Sequence, residues 1–354
     1  MNFEKIYENS KDIGSHESII DNTLTFLNDS FEDIEDDNIR KEKFDRHIEE
    51  ISFEDFEKWL IDLNGELKGI PPDKRGFSEA IIGGDRTGVN YLPPSPEHRK
   101  DLLEDVFESL KRIPNSVDKG AFLYYVIQAM HLFSDGNGRT GRVIYEYFRN
   151  NGKDFLSEEL DQLMSGHESK DDKLALAESR ESFYCKVLDP IIVFRYINDF
   201  LAKDILEDDG IYYIQVLIYE DCPLDIRGSD KKDEVKKIFS EKNLYPELFP
   251  FNALVVYDFL RQKNLLDKYS SSRNNEKGKE ISIKPYELTP NLTEDDFDII
   301  ITIHKELKVK FVKKLIDVFE NPEEYKISMK DGSDCNFKDG IIADSEKIQN
   351  NNID

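Results

Sequence analysis

Within His131-Leu132-Phe133-Ser134-Asp135-Gly136-Asn137-Gly138-Arg139-Thr140-Gly141-Arg142, an imidazole, a carboxylate, a glycine-flanked turn and two guanidinium groups follow one another. An imidazole can take a proton from an incoming hydroxyl near neutral pH. A carboxylate is a hard oxygen ligand, suited to a Mg²⁺ ion that bridges phosphates. Gly136 and Gly138 admit positive φ and let the backbone approach a ligand closely. Successive N–H groups across Gly136-Asn137-Gly138 can form an anion-binding nest. Arg139 and Arg142 are three residues apart and so share a helix face, and their planar forks match phosphate oxygens. The pattern is a phosphate cradle beside a base.

These residues need two helices to hold them. Upstream, Ala121 to Met130 is a nearly all-apolar run that reads as a buried helix ending at His131. Downstream, Val143, Ile144, Tyr147 and Phe148 recur on one helical face. The loop therefore ends where the second helix begins, at free backbone N–H groups and the positive end of a macrodipole. Pro114 and Asn115 break the chain before the first helix, and Ser116 or Asp118 is the expected cap. Before that break, Ser95 and Pro96 mark a helix start, followed by an apolar face of Leu102, Leu103, Val106, Phe107 and Leu110. Ile51, Phe53, Phe56, Trp59, Leu60 and Leu63 form another helical stripe, read as packing surface.

The stretch from His131 to Arg142 resembles the signature of Fic-domain (Fic/DOC superfamily) proteins, His-Pro-Phe-x-Asp/Glu-Gly-Asn-Gly-Arg-x-x-Arg, departing from it only at Leu132 in place of proline. Residues 80–94 contain Ile82-Gly83-Gly84-Asp85-Arg86-Thr87-Gly88, then Tyr91 and Pro93-Pro94. They resemble the Fic flap, a β-hairpin that clamps the target's modified side chain by backbone pairing. Ile82, Gly83, Gly84, Thr87 and Gly88 are its expected docking residues. Residues 17–22 are similar to the family's inhibitory helix, Ser/Thr-x-x-x-Glu-Gly/Asn, with Glu17 at the Ser/Thr position, Asp21 at the glutamate and Asn22 following. Asp21 and Asn22 are thus regulatory candidates, with an ordinary acidic helix as the competing reading.

The resemblance implies a mainly α fold of antiparallel helices with a small β-hairpin flap. It implies AMP transfer from ATP to a Ser, Thr or Tyr hydroxyl of a target protein, with ATP as co-substrate and Mg²⁺ as cofactor. His131 would deprotonate the hydroxyl. Gly136, Asn137, Gly138, Arg139 and Arg142 would bind ATP, and Asp135 would hold the metal. Phe133 would anchor the loop in the core. Three alternatives stand beside this reading: a de-AMPylating phosphodiesterase using Asp21, a family enzyme that transfers phosphocholine or a phosphoryl group, and a non-catalytic interaction protein.

The 354 residues suffice for two or three domains, and 38% hydrophobic content rules against wholesale disorder. A net charge of −26 disfavours nucleic acid and anionic membranes as partners. Three scattered cysteines lack zinc-ligand spacing. The polar N-terminus shows no secretory h-region, no run is long enough to span a bilayer, and a chain without a secretory signal is the expectation. Reduced thiols and a cytoplasmic location are expected, and a homodimer is compatible with this reading.

The expected organisation is an N-terminal helical region at 1–70, a Fic core at 71–205, a helical accessory region at 206–320 and a poorly ordered polar tail at 321–354. Residues 270–280 read as a linker, and 211–219 as a strand or buried helix. His16, His98, His167 and His304 read as surface residues.

Overall fold

A computed structural model describes residues 15–28, 34, 36–77, 94, 96–152, 155–164, 190–207, 209–216, 253–276, 278–283, 293–328 and 334–338. These divide into two compact units, one drawn from 1–80, 95–194 and 315–354, the other from 81–94 and 195–314. The flap residues Ile82, Gly83, Gly84, Thr87 and Gly88 lie outside the described residues, as do Cys185, Cys222 and His167.

In the first unit, helices α1 (His16–Asn28), α2 (Asp37–Glu50), α3 (Phe53–Lys68), α4 (Pro96–Arg112), α5 (Ser116–Met130), α6 (Asn137–Arg149) and α7 (Ser157–Met164) surround one core. α5 is its axis. From Ala121 to Met130 only Gln128 escapes full burial, so the helix has no solvent face. Its cap is Asn115, not Ser116 or Asp118: Asn115 Oδ1 accepts the Asp118 backbone N–H at 2.8 Å, and Ser116 is already helical. α6 packs along α5, and Gly120 permits the approach, since a β-carbon there would lie 2.9 Å from the Tyr145 carbonyl oxygen. On its other side α6 meets α3, through Trp59 against Tyr147 with centroids 5.6 Å apart. The stripe of α4 is buried as expected, with Phe107 stacked on Phe56 of α3.

Within the polar tail, the described residues 321–328 and 334–338 contain regular structure. Strand β4 (Lys326–Ser328) pairs antiparallel with β5 (Asp334–Asn336), and Ile327 and Phe337 are buried among the core residues. Lys338 closes an ion pair on the buried carboxylate of Asp118, near the start of α5. Two apolar residues and one lysine suffice to hold a segment whose composition is otherwise polar.

The second unit is not purely helical. Strands β1 (Ile211–Val216), β2 (Ser270–Asn275) and β3 (Gly278–Ile283) form a sheet in the order β1-β3-β2, parallel between β1 and β3 and antiparallel between β2 and β3. Residues 270–280, expected as a linker, are therefore most of a hairpin. Their Ser, Asn and Lys content hides it because the described residues of β2 are largely solvated, and in β3 Ile281 and Ile283 are the buried ones. The remaining described α-helices are α8 (Pro190–Glu207), α9 (Ala253–Gln262), α10 (Leu266–Tyr269) and α11 (Glu294–Glu320), of which residues 190–194 and 315–320 belong to the first unit.

His304 corrects another expectation. It is 4% exposed, in the buried stripe of α11 with Ile300, Ile303, Leu307 and Phe311. The stripe's period takes in position 304 whatever residue stands there. Burial, then the positive charge of Lys308, drives the His304 pKa down to about 3.

Candidate active site

The loop between α5 and α6 is built by three devices. His131 caps α5 with φ 47° and ψ 59°, a left-handed conformation uncommon for a non-glycine residue, while its N–H still bonds the Ile127 carbonyl at 2.9 Å. Leu132 and Phe133 then turn inward and are buried, and Phe133 packs on Phe77 with centroids 5.5 Å apart. Leu132 thus keeps the apolar contact at the position where the family signature has proline.

Asn137 supplies the second device. Its Oδ1 accepts the Phe133 N–H at 3.0 Å and its Nδ2 donates to the Phe133 carbonyl at 2.6 Å. The buried amide therefore clamps the loop onto itself. The sequence assigned Asn137 to ATP; its backbone N–H belongs to the first turn of α6, but its side chain is committed to the loop. Gly136, third, begins α6 with φ 83°, and no side chain caps that first turn. The first intrahelical bond runs from Thr140 N to Gly136 O, so the N–H groups of residues 137–139 precede the helix's own ladder. These N–H groups lie where the sequence predicts a phosphate cradle.

α3 contributes what the sequence did not reveal. Asn64 Nδ2 donates to the Asp135 carbonyl at 3.2 Å and to Thr140 Oγ1 at 3.0 Å. Lys68, one turn later, places its ammonium on Asp135 Oδ2. Asp135 Oδ1 accepts the Gly136 N–H at 2.6 Å. Partial burial works to raise the Asp135 pKa, but Lys68, the Gly136 N–H and Arg139 together hold it below the usual carboxylate value. Asp135 is ionised at neutral pH and exposed.

His131 is neutral. Burial first, then the charge of Arg99, lower its pKa to about 4 against a smaller upward pull from Asp135. At neutral pH the imidazole therefore carries a lone pair able to accept a proton. Arg99, buried on α4, was also missed. Arg142 Nε donates to the Leu163 carbonyl at 2.9 Å, at the end of α7. A β-carbon on Gly138 would lie 3.3 Å from Arg142 Nη1 and 3.8 Å from Gln128 Nε2. The missing side chain leaves the guanidinium room over the first turn of α6.

Asn64, Arg99 and Gln128 share one sequence signal. Each is a polar residue at a position where the helical period demands an apolar one: Asn64 beside Leu60, Leu63 and Leu67, Arg99 beside Leu102 and Leu103, Gln128 inside the apolar run. Lys68 follows Asn64 by four residues and inherits its face.

The structure brings together His131, Asp135, Gly136, Asn137, Gly138, Arg139 and Arg142 at one loop and helix start. Asp21 and Asn22 are exposed on α1, and α1 meets α7 through His16 and Asp161, 2.7 Å apart.

Residues 46–149 match the Fic/DOC family. The match begins inside α2 and ends with α6, so it takes in α3 with Asn64 and Lys68 as well as the loop. The matched residues begin before residue 71, the expected start of the core. No solved structure matches the chain. Among the described residues no helix is long and apolar enough to cross a membrane.

Fitness for a metal turns on the donor set around the 131–142 loop. Among the described residues no three His, Cys, Asp or Glu side chains converge into a protein-only cage. One ionised carboxylate at a phosphate cradle fits Mg²⁺, which keeps several waters and takes its remaining ligands from phosphates.

Proposed function

We propose that the protein transfers AMP from ATP to a hydroxyl side chain of a target protein. The observation that carries this reading is a neutral imidazole at the mouth of an uncapped helix N-terminus, with Asp135 between them and Arg139 and Arg142 on that helix. The target oxygen attacks the α-phosphorus, and His131 takes its proton. The bond from the α-phosphorus to the bridging oxygen breaks, and pyrophosphate leaves. The N–H groups of residues 137–139 stabilise the charge that develops on the phosphoryl oxygens, without reorganising during the step. Arg139 and Arg142 hold the outer phosphates and so set the in-line direction of attack. Asp135 would hold Mg²⁺, whose charge, when bound, offsets that of the phosphates.

The intact order Asp135-Gly136-Asn137-Gly138-Arg139 supports AMP over phosphoryl transfer, because it keeps the outer phosphates in the cradle and presents the α-phosphorus to His131. Incubating the protein with a cell lysate and ATP labelled at the α- or the γ-phosphate, in parallel, tests the reading. Label on protein from the α position alone is expected. Label from the γ position alone would make the protein a kinase and overturn it.

A further inference from the structure

The cation on Asp135 belongs to the protein itself. Lys68 lies at the last turn of α3, and its side chain is only 18% exposed although it ends on an exposed carboxylate. Its stem explains the burial: Cδ and Cγ lie 3.2 and 3.3 Å from where a β-carbon on Gly136 would be. The lysine therefore runs along the start of the phosphate cradle and delivers its charge to the residue best placed to hold a metal. Asn64, one turn earlier, fixes the same loop through the Asp135 carbonyl. Both oxygens of Asp135 are engaged, one by the Gly136 N–H and one by Lys68.

We infer that Lys68 is a resident counter-ion that a divalent cation must displace from Asp135, and that its freed ammonium then binds the polyphosphate entering the cradle. The inference deepens the nucleotide-transfer reading and rests on it for the identity of the polyphosphate. The displacement half stands on Asp135 and Lys68 alone. Two positive charges cannot share one carboxylate oxygen without repulsion, so the metal enters only as the lysine leaves. A lysine is suited to this exchange: its ammonium is a point charge on a flexible stem, with no fixed fork to satisfy. The arrangement keeps the free site neutralised and couples metal entry to nucleotide entry, because the displaced ammonium finds its new partner only when phosphate is present.

The test uses the full chain and its Lys68→Met variant, which keeps the stem and removes the charge, with Lys68→Gln as a second variant should Met pack differently. Mn²⁺ is titrated without nucleotide, and paramagnetic broadening of the Gly136 and Gly138 amide resonances is followed by NMR, so that binding elsewhere on the acidic surface does not count. Removing Lys68 is expected to raise the local Mn²⁺ affinity by about three- to fivefold, the worth of a part-exposed ion pair. Asp135→Ala is expected to abolish the local broadening. Unchanged local affinity in both Lys68 variants overturns the displacement. ATP binding is then measured by calorimetry at saturating Mg²⁺, where the cation has displaced the ammonium from Asp135. A loss of about three- to tenfold in both variants, a charge-assisted contact, supports the transfer of the ammonium to phosphate, and unchanged ATP affinity overturns that half. Failure of the wild type to bind ATP at all would instead remove the nucleotide reading, while the Mn²⁺ result would still decide the displacement.

Discussion

Asn137 offers the sharpest separation of a structural role from a ligand role. Its amide makes two hydrogen bonds to Phe133, at 3.0 and 2.6 Å, and both residues are almost wholly buried. Asn137→Ala strands the Phe133 N–H and carbonyl together, in a place water does not reach. A buried polar group left unpaired costs about 1–3 kcal/mol, so the two should cost about 2–5 kcal/mol once slight relaxation is allowed. Asn137→Asp keeps the acceptor but points an oxygen at the Phe133 carbonyl, and should cost at least as much at neutral pH. Urea denaturation followed by circular dichroism gives the change in stability, and hydrogen exchange at the Phe133 amide gives the local effect. Both variants should lose stability, and the Phe133 amide should lose protection. A cost below about 1 kcal/mol, with ATP binding abolished in a fully folded protein, would refute the clamp and make the side chain a ligand.

Four further outcomes follow from the same geometry. Gly136→Ala forces a β-carbon into φ 83° and to 2.9 Å from Asn64 Nδ2, and should cost about 2–4 kcal/mol, whereas Gly138→Ala, inside the helix, should leave stability unchanged or raise it by about 1 kcal/mol while weakening ATP binding through Arg142; calorimetry on both variants checks the contrast. Arg99→Gln removes the charge that helps depress His131, so the His131 pKa should rise from about 4 toward 6.5, read from the imidazole proton shifts across pH. His131 and His304 have folded pKa values near 4 and 3, below 6.5, so the unfolded chain binds more protons as pH falls; the stability present above pH 6.5 should drop between pH 6.5 and about 3, and His304→Leu should flatten that drop in urea titrations. Phe337→Ala should cost about 3–5 kcal/mol in thermal denaturation, a core-sized loss from what composition marks as a tail.

The helices were legible where their period was strong. The stripes of α3, α4 and α6 came straight from spacing, and the chemistry of the 131–142 loop came from residue type and order. What escaped was carried by residues that break a pattern or depend on distant partners. Lys68 acquires meaning only when α3 lies beside the loop, and no local spacing reports that neighbour. The hairpin at 270–283 has strands too polar for the alternation to show, and β4 and β5 are three residues each, too short to carry a period. His304 misled for the opposite reason: residue type spoke for the surface while helical position spoke for the core, and position prevailed. Asn115 outcompeted Ser116 as a cap because its longer amide also reaches the Asp118 carboxylate, at 2.6 Å.

His131 is the proposed base for a nucleotide held at the start of α6. The most direct measurement compares wild type with His131→Ala for two quantities at once: the Kd for Mg·ATP and the rate of α-label transfer to protein. Retained binding, within about threefold, with transfer lost by two to four orders of magnitude, about the contribution of a positioned general base, is the predicted result. Transfer that survives in His131→Ala at the wild-type rate would contradict the assignment and leave the cradle without its base.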